Sequence, residues 1–292
     1  MAMRVRRSDP IERHRGAERL NSMSSRLHQS TTRARARLEQ SAASRPLAEL
    51  QRIAADLPRP RNFFRALVDP RGSSPFRVIA EILRSAAAPE GTADTFDPVD
   101  MARRYQRAGA SALSVPTEFD EGGSGLDSIA AIRKATPLPI LHKRLLIDPY
   151  QIWESRVAGA DAVLLVAEAL TEGQIIDFQI LAAELGMTAV LQIHDAWNLL
   201  RVIRHVGFPD AAGCLVAIDN RDPQTLDVDL ETSRRLAELV ERRNILVSEG
   251  GLATAEHLAA LRRHGFHIAL LGESLLRAAD PGAALQDLLE AA

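Results

Sequence analysis

From Phe76 to the end, the chain repeats one unit eight times: a short apolar run, then an amphipathic helical segment. The runs are Arg77–Ile82, Ala112–Val115, Pro139–His142, Ala162–Val166, Thr188–Ile193, Cys214–Ile218, Ile245–Ser248 and Ile268–Leu271. The helical patterns that follow them are Asp97–Ala108, Leu126–Ala135, Pro149–Ala158, Glu172–Leu185, Ala196–Val206, Leu230–Val240, Thr254–His264 and Pro281–Leu289. Runs such as AVLLV, CLVAI and IALL leave no polar face, as in parallel strands covered on both sides by helices. Gly109, Gly159, Gly186, Gly207 and Gly265 stand where helices stop, and a strand follows within a few residues. Glycine is the residue that takes the left-handed turn there without steric cost. Eight such units predict an α/β fold, a closed parallel (β/α)8 TIM barrel. An open doubly wound sheet has no need of eight regular units and usually carries a glycine-rich first turn, which is missing after Ile82.

In such a barrel the chemistry gathers at the C-terminal ends of the strands. The polar residues closing the apolar runs are Glu81, Thr117 with Glu118, Lys143, Glu168, Gln192 with His194, Asp219 with Asn220 and Arg221, Ser248 with Glu249, and Gly272 to Ser274. Lys143 stands out, because the chain's other positive charges are arginines except for Lys134. An ammonium can give up its proton and a guanidinium cannot, so a lysine at a strand end suggests acid–base work, with burial lowering its pKa. Glu81, Gln192 and Glu249 sit in or beside apolar strands, where an unpaired charge is expensive, and pairing across the mouth is expected. Such pairing alone would also make a structural ion-pair layer. In the last two units, Ser248-Glu249-Gly250-Gly251-Leu252 and Leu271-Gly272-Glu273-Ser274-Leu275 place accessible backbone amides ahead of helical starts. These are the two units in which barrels most often build a phosphate site, which makes Gly250, Gly251, Gly272 and Glu273 the phosphate-binding candidates.

The first 45 residues hold eleven arginines against Asp9, Glu12, Glu18 and Glu39, so the excess positive charge lies there while the whole chain carries −2. Residues 1–22 read as a disordered basic tail, 23–75 as an N-terminal helical extension with Phe63, Phe64 and Leu67 closing the barrel from below, and 76–292 as the barrel domain. The near-zero net charge favours a small phosphorylated partner over nucleic acid or membrane. A lone Cys214 inside an apolar run, with no apolar leader, predicts a cytoplasmic protein with an inert thiol.

From Pro46 on, the chain resembles the indole-3-glycerol-phosphate synthase family of tryptophan biosynthesis. The likeness runs through RPLAELQRIAADLPRPRNFFRAL, FRVIAEI, LPILHK, IDPYQIWESRVAGADAVLLV, IHD, DNRD, VSEGGL and LLGESLLRAADPGAAL. It implies a carbon–carbon lyase that converts 1-(2-carboxyphenylamino)-1-deoxyribulose 5-phosphate to indole-3-glycerol phosphate, releasing carbon dioxide and water, with no cofactor and no metal. It also implies Lys143 as general acid, Glu81 and Glu249 in the polar cluster, Arg221 and Asn220 beside the substrate, and Gly251 and Gly272 as amides for its phosphate. Tryptophan-pathway enzymes are the partners it names, for a monomer or weak dimer. Several positions depart from the family pattern: Leu83 replaces a lysine, Ala86 and Ala88 lie in an altered loop, Arg144 follows the catalytic lysine, Gln192 replaces a glutamate base, Asp219 an asparagine, and Gly250 a serine. Arg84 or Arg144 could stand in for the lost lysine, and Asp219, Glu168 or Glu249 for the base. A diverged paralogue acting on a related aryl-amino sugar phosphate, or a non-catalytic phosphate-ligand binder, stays open beside the synthase reading.

Overall fold

The computed structural model describes residues 10–69, 76–83, 96–118, 125–206 and 213–292, with side chains from residue 26 onward. Three helices come first: α1 (Pro10–Ser44), α2 (Leu47–Asp56) and α3 (Phe63–Val68). The eight strands are β1 (Arg77–Glu81), β2 (Ala112–Pro116), β3 (Ile140–Lys143), β4 (Ala162–Val166), β5 (Thr188–Ile193), β6 (Cys214–Asp219), β7 (Leu246–Glu249) and β8 (Ile268–Leu271). Each pairs in parallel with the next, and β1 pairs with β8, closing the barrel. Outside it lie α4 (Pro98–Arg107), α5 (Asp127–Ala135), α6 (Pro149–Ala158), α7 (Glu172–Glu184), α8 (Ala196–Val202), α9 (Glu231–Ala237), α10 (Ala255–Arg263), the single turn α11 (Glu273–Leu276) and α12 (Pro281–Ala291).

Local chemistry explains where the helices begin. Asp97-Pro98, Asp148-Pro149 and Asp280-Pro281 each put a carboxylate at the cap and a proline at the first helical position, and each aspartate accepts a hydrogen bond from a backbone N–H of the first turn. Gly109, Gly159, Gly186 and Gly265 have positive φ as expected, while Gly207 lies outside the described residues. Beyond differences of a residue or two at the caps, two helical segments fall well short of their patterns: α8 stops at Val202 and continues as a 3-10 turn over Ile203–His205, and α9 ends at Ala237. The expectation of a tail over 1–22 concerns residues 1–9, which are not described, and 10–22, of which only the helical backbone is.

The lower end of the barrel is sealed by the segment leading into α3. Asp161, fully buried before β4, accepts from the backbone N–H of Arg61 (2.6 Å) and of Ile140 (2.9 Å) and from the Arg133 guanidinium (2.7 Å). Arg61 in turn donates to the Leu138 and Arg133 carbonyls. Phe63 and Leu67 are buried against the barrel floor, and Cys214 is buried in β6. At the opposite end, α1 crosses beside the mouth: Ala34 is buried, Arg37 pairs with Glu118 after β2, and the Tyr150 hydroxyl donates to the Arg45 carbonyl. Among the described residues no helix is long and apolar enough to cross a membrane.

Candidate active site

Two cavities meet at the C-terminal mouth, of about 380 and about 490 Å³. Both are lined by Glu81, Leu83, Lys143, Asp219 and Arg221. The smaller one opens toward the ends of β7 and β8, with Gly250, Gly251, Gly272, Ser274 and Arg277 in its wall. The larger one is mostly apolar, with Leu27, Pro116, Leu145, Leu164, Val166 and Leu226, and it runs under α1, which contributes Arg26.

Lys143 lies where they join. Its Nζ is 3.0 Å from Glu81 Oε1 and 3.0 Å from Glu249 Oε2, and Ser114 donates to the same Glu81 oxygen. Each partner closes a different strand, so the barrel's closure assembles the trio. Gln192 donates through Nε2 to Glu249 Oε1 (2.7 Å) and to Asp219 Oδ2 (3.2 Å). Asp219 also accepts from the Arg221 N–H through Oδ1 (2.9 Å). Beyond it His194 is held between two acids, with Nε2 3.5 Å from Asp219 Oδ2 and Nδ1 3.1 Å from Glu168 Oε1. Neighbouring His142, by contrast, is fully buried between the Thr117 and Ser155 hydroxyls. Ser155 donates to the Gln151 carbonyl, so it accepts from Nδ1–H and leaves Nε2 to accept from Thr117.

The charges follow from this packing. Burial by itself would lower the Lys143 pKa, as the sequence suggested, but Glu249, Glu81 and Asp219 outweigh it and raise the pKa instead. The resting lysine is therefore a held cation, loaded with the proton an acid needs. Burial lifts the Glu249 carboxyl above its usual range against the pull of Lys143, with Asp219 and Glu81 adding to the rise. Burial opposes the charge on His194 too, yet Asp219 and Glu168 carry its pKa up to about 10, so the imidazole is a cation at neutral pH. Asp219, which burial alone would push up, is held below the usual carboxylate range by that imidazolium. His142 goes the other way, lowered well below its ordinary value by burial and by Arg144, and stays neutral.

Other expected site residues are placed differently. Arg84, Ala86 and Ala88 lie outside the described residues. Arg144 reaches the wall of the larger cavity, but its guanidinium is committed to Glu118 (3.3 Å) and Glu154 (3.2 Å). Asn220 turns away from both cavities: its amide donates to the Ser248 hydroxyl and to the Glu249 and Gly250 carbonyls, and its oxygen accepts from Ser233 N–H. It pins β6 to β7. The Glu273 carboxylate holds Arg221 (3.1 Å) and Arg277 (2.5 Å), so any phosphate contact from this residue comes through its backbone. Gly250 and Gly251 have φ of +82° and +75°. A Cβ on Gly250 would stand 2.4 Å from Asp219 Oδ1, and one on Gly251 2.1 Å from Val228 Cγ1. Ser274, in the same turn as Gly272, buries a hydroxyl with no hydrogen-bond partner among the described residues, inside the glycine-lined cavity. That orphaned group and the two arginines suit a phosphate. Sequence reading missed the pairing of His194 with Glu168, although both close consecutive strands, and consecutive strands are neighbours in a barrel.

A family model described as indole-3-glycerol phosphate synthase matches residues 27–288. A relative from Rhodopirellula baltica bearing that name is 38% identical over 247 residues, covering 85% of this chain and 92% of its own length. Another so named, from Acidithiobacillus ferrooxidans, is 37% identical over 243 residues, covering 83% and 90%. Among solved structures, a 3-hexulose-6-phosphate synthase superposes with a TM-score of 0.58 at 19% identity, over 74% of this chain and 98% of its own. The enzyme of that name from Salmonella typhimurium gives 0.58 at 16%, over the same shares. At these identities the likeness is one of fold.

Proposed function

Because the chain belongs to the indole-3-glycerol phosphate synthase family, we propose that it is a carboxy-lyase that closes the indole ring of 1-(2-carboxyphenylamino)-1-deoxyribulose 5-phosphate, giving indole-3-glycerol phosphate. The observation that carries this reading is Lys143, held charged by Glu81 and Glu249 where a phosphate-suited cavity meets an apolar one. The sugar phosphate enters the end lined by Gly250, Gly251, Gly272, Ser274, Arg221 and Arg277, and the aryl ring enters the end lined by Leu83, Leu145, Leu164 and Val166. The ribulose carbonyl then lies between them, beside Lys143. The ring carbon bearing the carboxylate attacks the carbonyl carbon, and the oxygen takes a proton from Lys143. The carboxylate leaves as carbon dioxide, its bonding pair restoring the aromatic ring. The new hydroxyl departs with a second proton as water, while a proton leaves the carbon beside nitrogen. Fixed positions supply much of the rate and a positioned general acid supplies about 10²–10⁴-fold.

The setting for this reading is the cytoplasm, as a monomer or weak dimer beside other tryptophan-pathway enzymes. The decisive assay is turnover: indole fluorescence and carbon dioxide should appear together from that substrate, and their absence in folded protein rejects the reading. Leu83 favours a second reading, a related aryl-amino sugar phosphate with an apolar substituent at that end, which a panel of ring-substituted substrates decides.

With Leu83 apolar and Arg144 committed to its carboxylates, Arg26 is the cation left at the aryl end, free of ion pairs among the described residues. Arg26→Ala should raise KM for the carboxylated substrate roughly tenfold, the loss of one charge-assisted contact. It should leave kcat and the affinity for indole-3-glycerol phosphate, which has lost the carboxylate, unchanged. An equal loss for substrate and product would remove Arg26 from this role.

A further inference from the structure

Removing the last proton needs a group that can accept it, and Gln192 is an amide that donates both of its observed hydrogen bonds and has no useful basicity near neutral pH. Four other acids face the two cavities or stand just behind them. Glu81 and Glu249 are ion-paired to Lys143, Glu273 is ion-paired to Arg221 and Arg277, and Glu168 touches only the larger cavity, with 4% of its side chain open and one oxygen against His194. Asp219 is different: it lines both cavities, keeps 18% of its side chain open, and is ion-paired to neither lysine nor arginine. Gln192 and the Arg221 backbone N–H fix its two oxygens.

We infer that Asp219 is the proton acceptor of the aromatising step, and that His194, braced by Glu168, is the positioning residue that keeps Asp219 ionised and aimed at the cavity. The inference rests on the ring-closure reading and deepens it. In the step concerned, the C–H bond beside the ring nitrogen breaks and its proton goes to Asp219. Its electron pair forms the ring double bond, and the hydroxyl on the adjoining carbon takes a proton from Lys143, recharged from solvent after the ring closure, and leaves as water. Atoms and charge balance between the two residues, and the proton returns from Asp219 toward Lys143 through the shared cluster or solvent. His194 itself gives no proton. Its cation makes an ionised Asp219 cheap beside Glu249 and Glu81, which would otherwise repel it. Glu168 repeats that service for His194 through charge at 3.1 Å, since neither His194 Nδ1 nor the second Glu168 oxygen finds a hydrogen-bond partner among the described residues. The amide on β5 and the acid on β6, in hydrogen-bond contact, thus hold one carboxyl between them, and the arrangement places it on β6.

Asp219→Asn keeps the size and most hydrogen bonds of the side chain. It should cut kcat by 10²-fold or more while affinity for inorganic phosphate stays within twofold. The exchange Gln192→Glu with Asp219→Asn returns one carboxyl to the pair, and should recover at least tenfold of that loss. His194→Gln tests positioning through the acidic limb of kcat/KM. The groups facing Asp219 are Lys143, Glu249, Glu81, His194 and the Arg221 backbone. Of these, loss of the His194 cation lets Asp219 take its proton more readily, so the limb should move to higher pH. A merely structural histidine would lower thermal stability and leave the limb in place, and a stationary limb overturns the positioning role. Active wild type with Asp219→Asn within fivefold of it overturns the inference alone. Wild type inactive on the substrate overturns the ring-closure reading, and this inference with it.

Discussion

Lys143→Arg should leave a folded protein that binds inorganic phosphate normally and has lost about 10²–10⁴-fold in turnover, the range a general acid supplies. The substitution separates charge from proton. A guanidinium at residue 143 can still bridge Glu81 and Glu249, each 3.0 Å from the lysine nitrogen, and so keeps the cluster neutralised and the barrel mouth intact. It cannot hand a proton to a carbonyl oxygen, because its pKa is far too high. Thermal unfolding and phosphate titration should match the wild type while indole formation disappears. Turnover within tenfold of wild type would mean that the lysine serves as a fixed charge and that the proton comes from elsewhere.

The second large effect lies at the opposite end and concerns folding alone. Asp161→Ala should lower stability by about 3–5 kcal/mol, the cost of removing one partner from a buried ion pair. The carboxylate is fully buried, and its loss orphans the Arg61 and Ile140 N–H groups and leaves Arg133 facing a void. Set against a whole-domain stability of about 5–15 kcal/mol, this lowers the melting temperature by something on the order of 10 °C. Asp161→Asn, which keeps an acceptor, should fall between. At a temperature where both variants are folded, kcat should equal that of the wild type, since the staple stands at the end of the barrel away from the cavities. A melting shift under 3 °C for the alanine variant would show that the segment before α3 is held by Phe63 and Leu67 without this carboxylate.

The barrel was legible because its signals are local. Ala162–Val166, Thr188–Ile193 and Ile268–Leu271 match their apolar runs to the residue, as two-sided burial leaves no ambiguity of period. Three others, β3, β6 and β7, end a residue later because a polar strand end, Lys143, Asp219 or Glu249, still joins the ladder, while β2 gains Pro116 and β1 stops at Glu81, short of Ile82. Which strand ends meet was legible too, since closure in chain order follows from eight equal units. The direction of each side chain was not. Asn220 and Arg221 are adjacent in sequence, yet one is spent on the backbone of β7 and the other lines both cavities. Arg144 shares a mouth with Lys143 but is taken up by Glu118 and Glu154, and a partner ten or more residues away leaves no periodic trace. The pKa direction of Lys143 was missed for a related reason: burial could be read from one apolar strand, whereas the three carboxylates that override it come from three others. The reach of α1 to the mouth was hidden as well, because a helix rich in arginine carries a weak apolar stripe.

Gly250 and Asp219 bear on how this site could be rebuilt. With only 2.4 Å between a Cβ at residue 250 and the Asp219 oxygen, a serine at 250 meets a wall while the aspartate stands, and the positive φ adds strain of its own. Once an asparagine or smaller group at 219 has moved aside, the same serine meets less resistance. The two positions therefore form a ratchet: a scan that changes one residue at a time would score Gly250 as immutable, and a library that varies both together would find routes the scan declares closed.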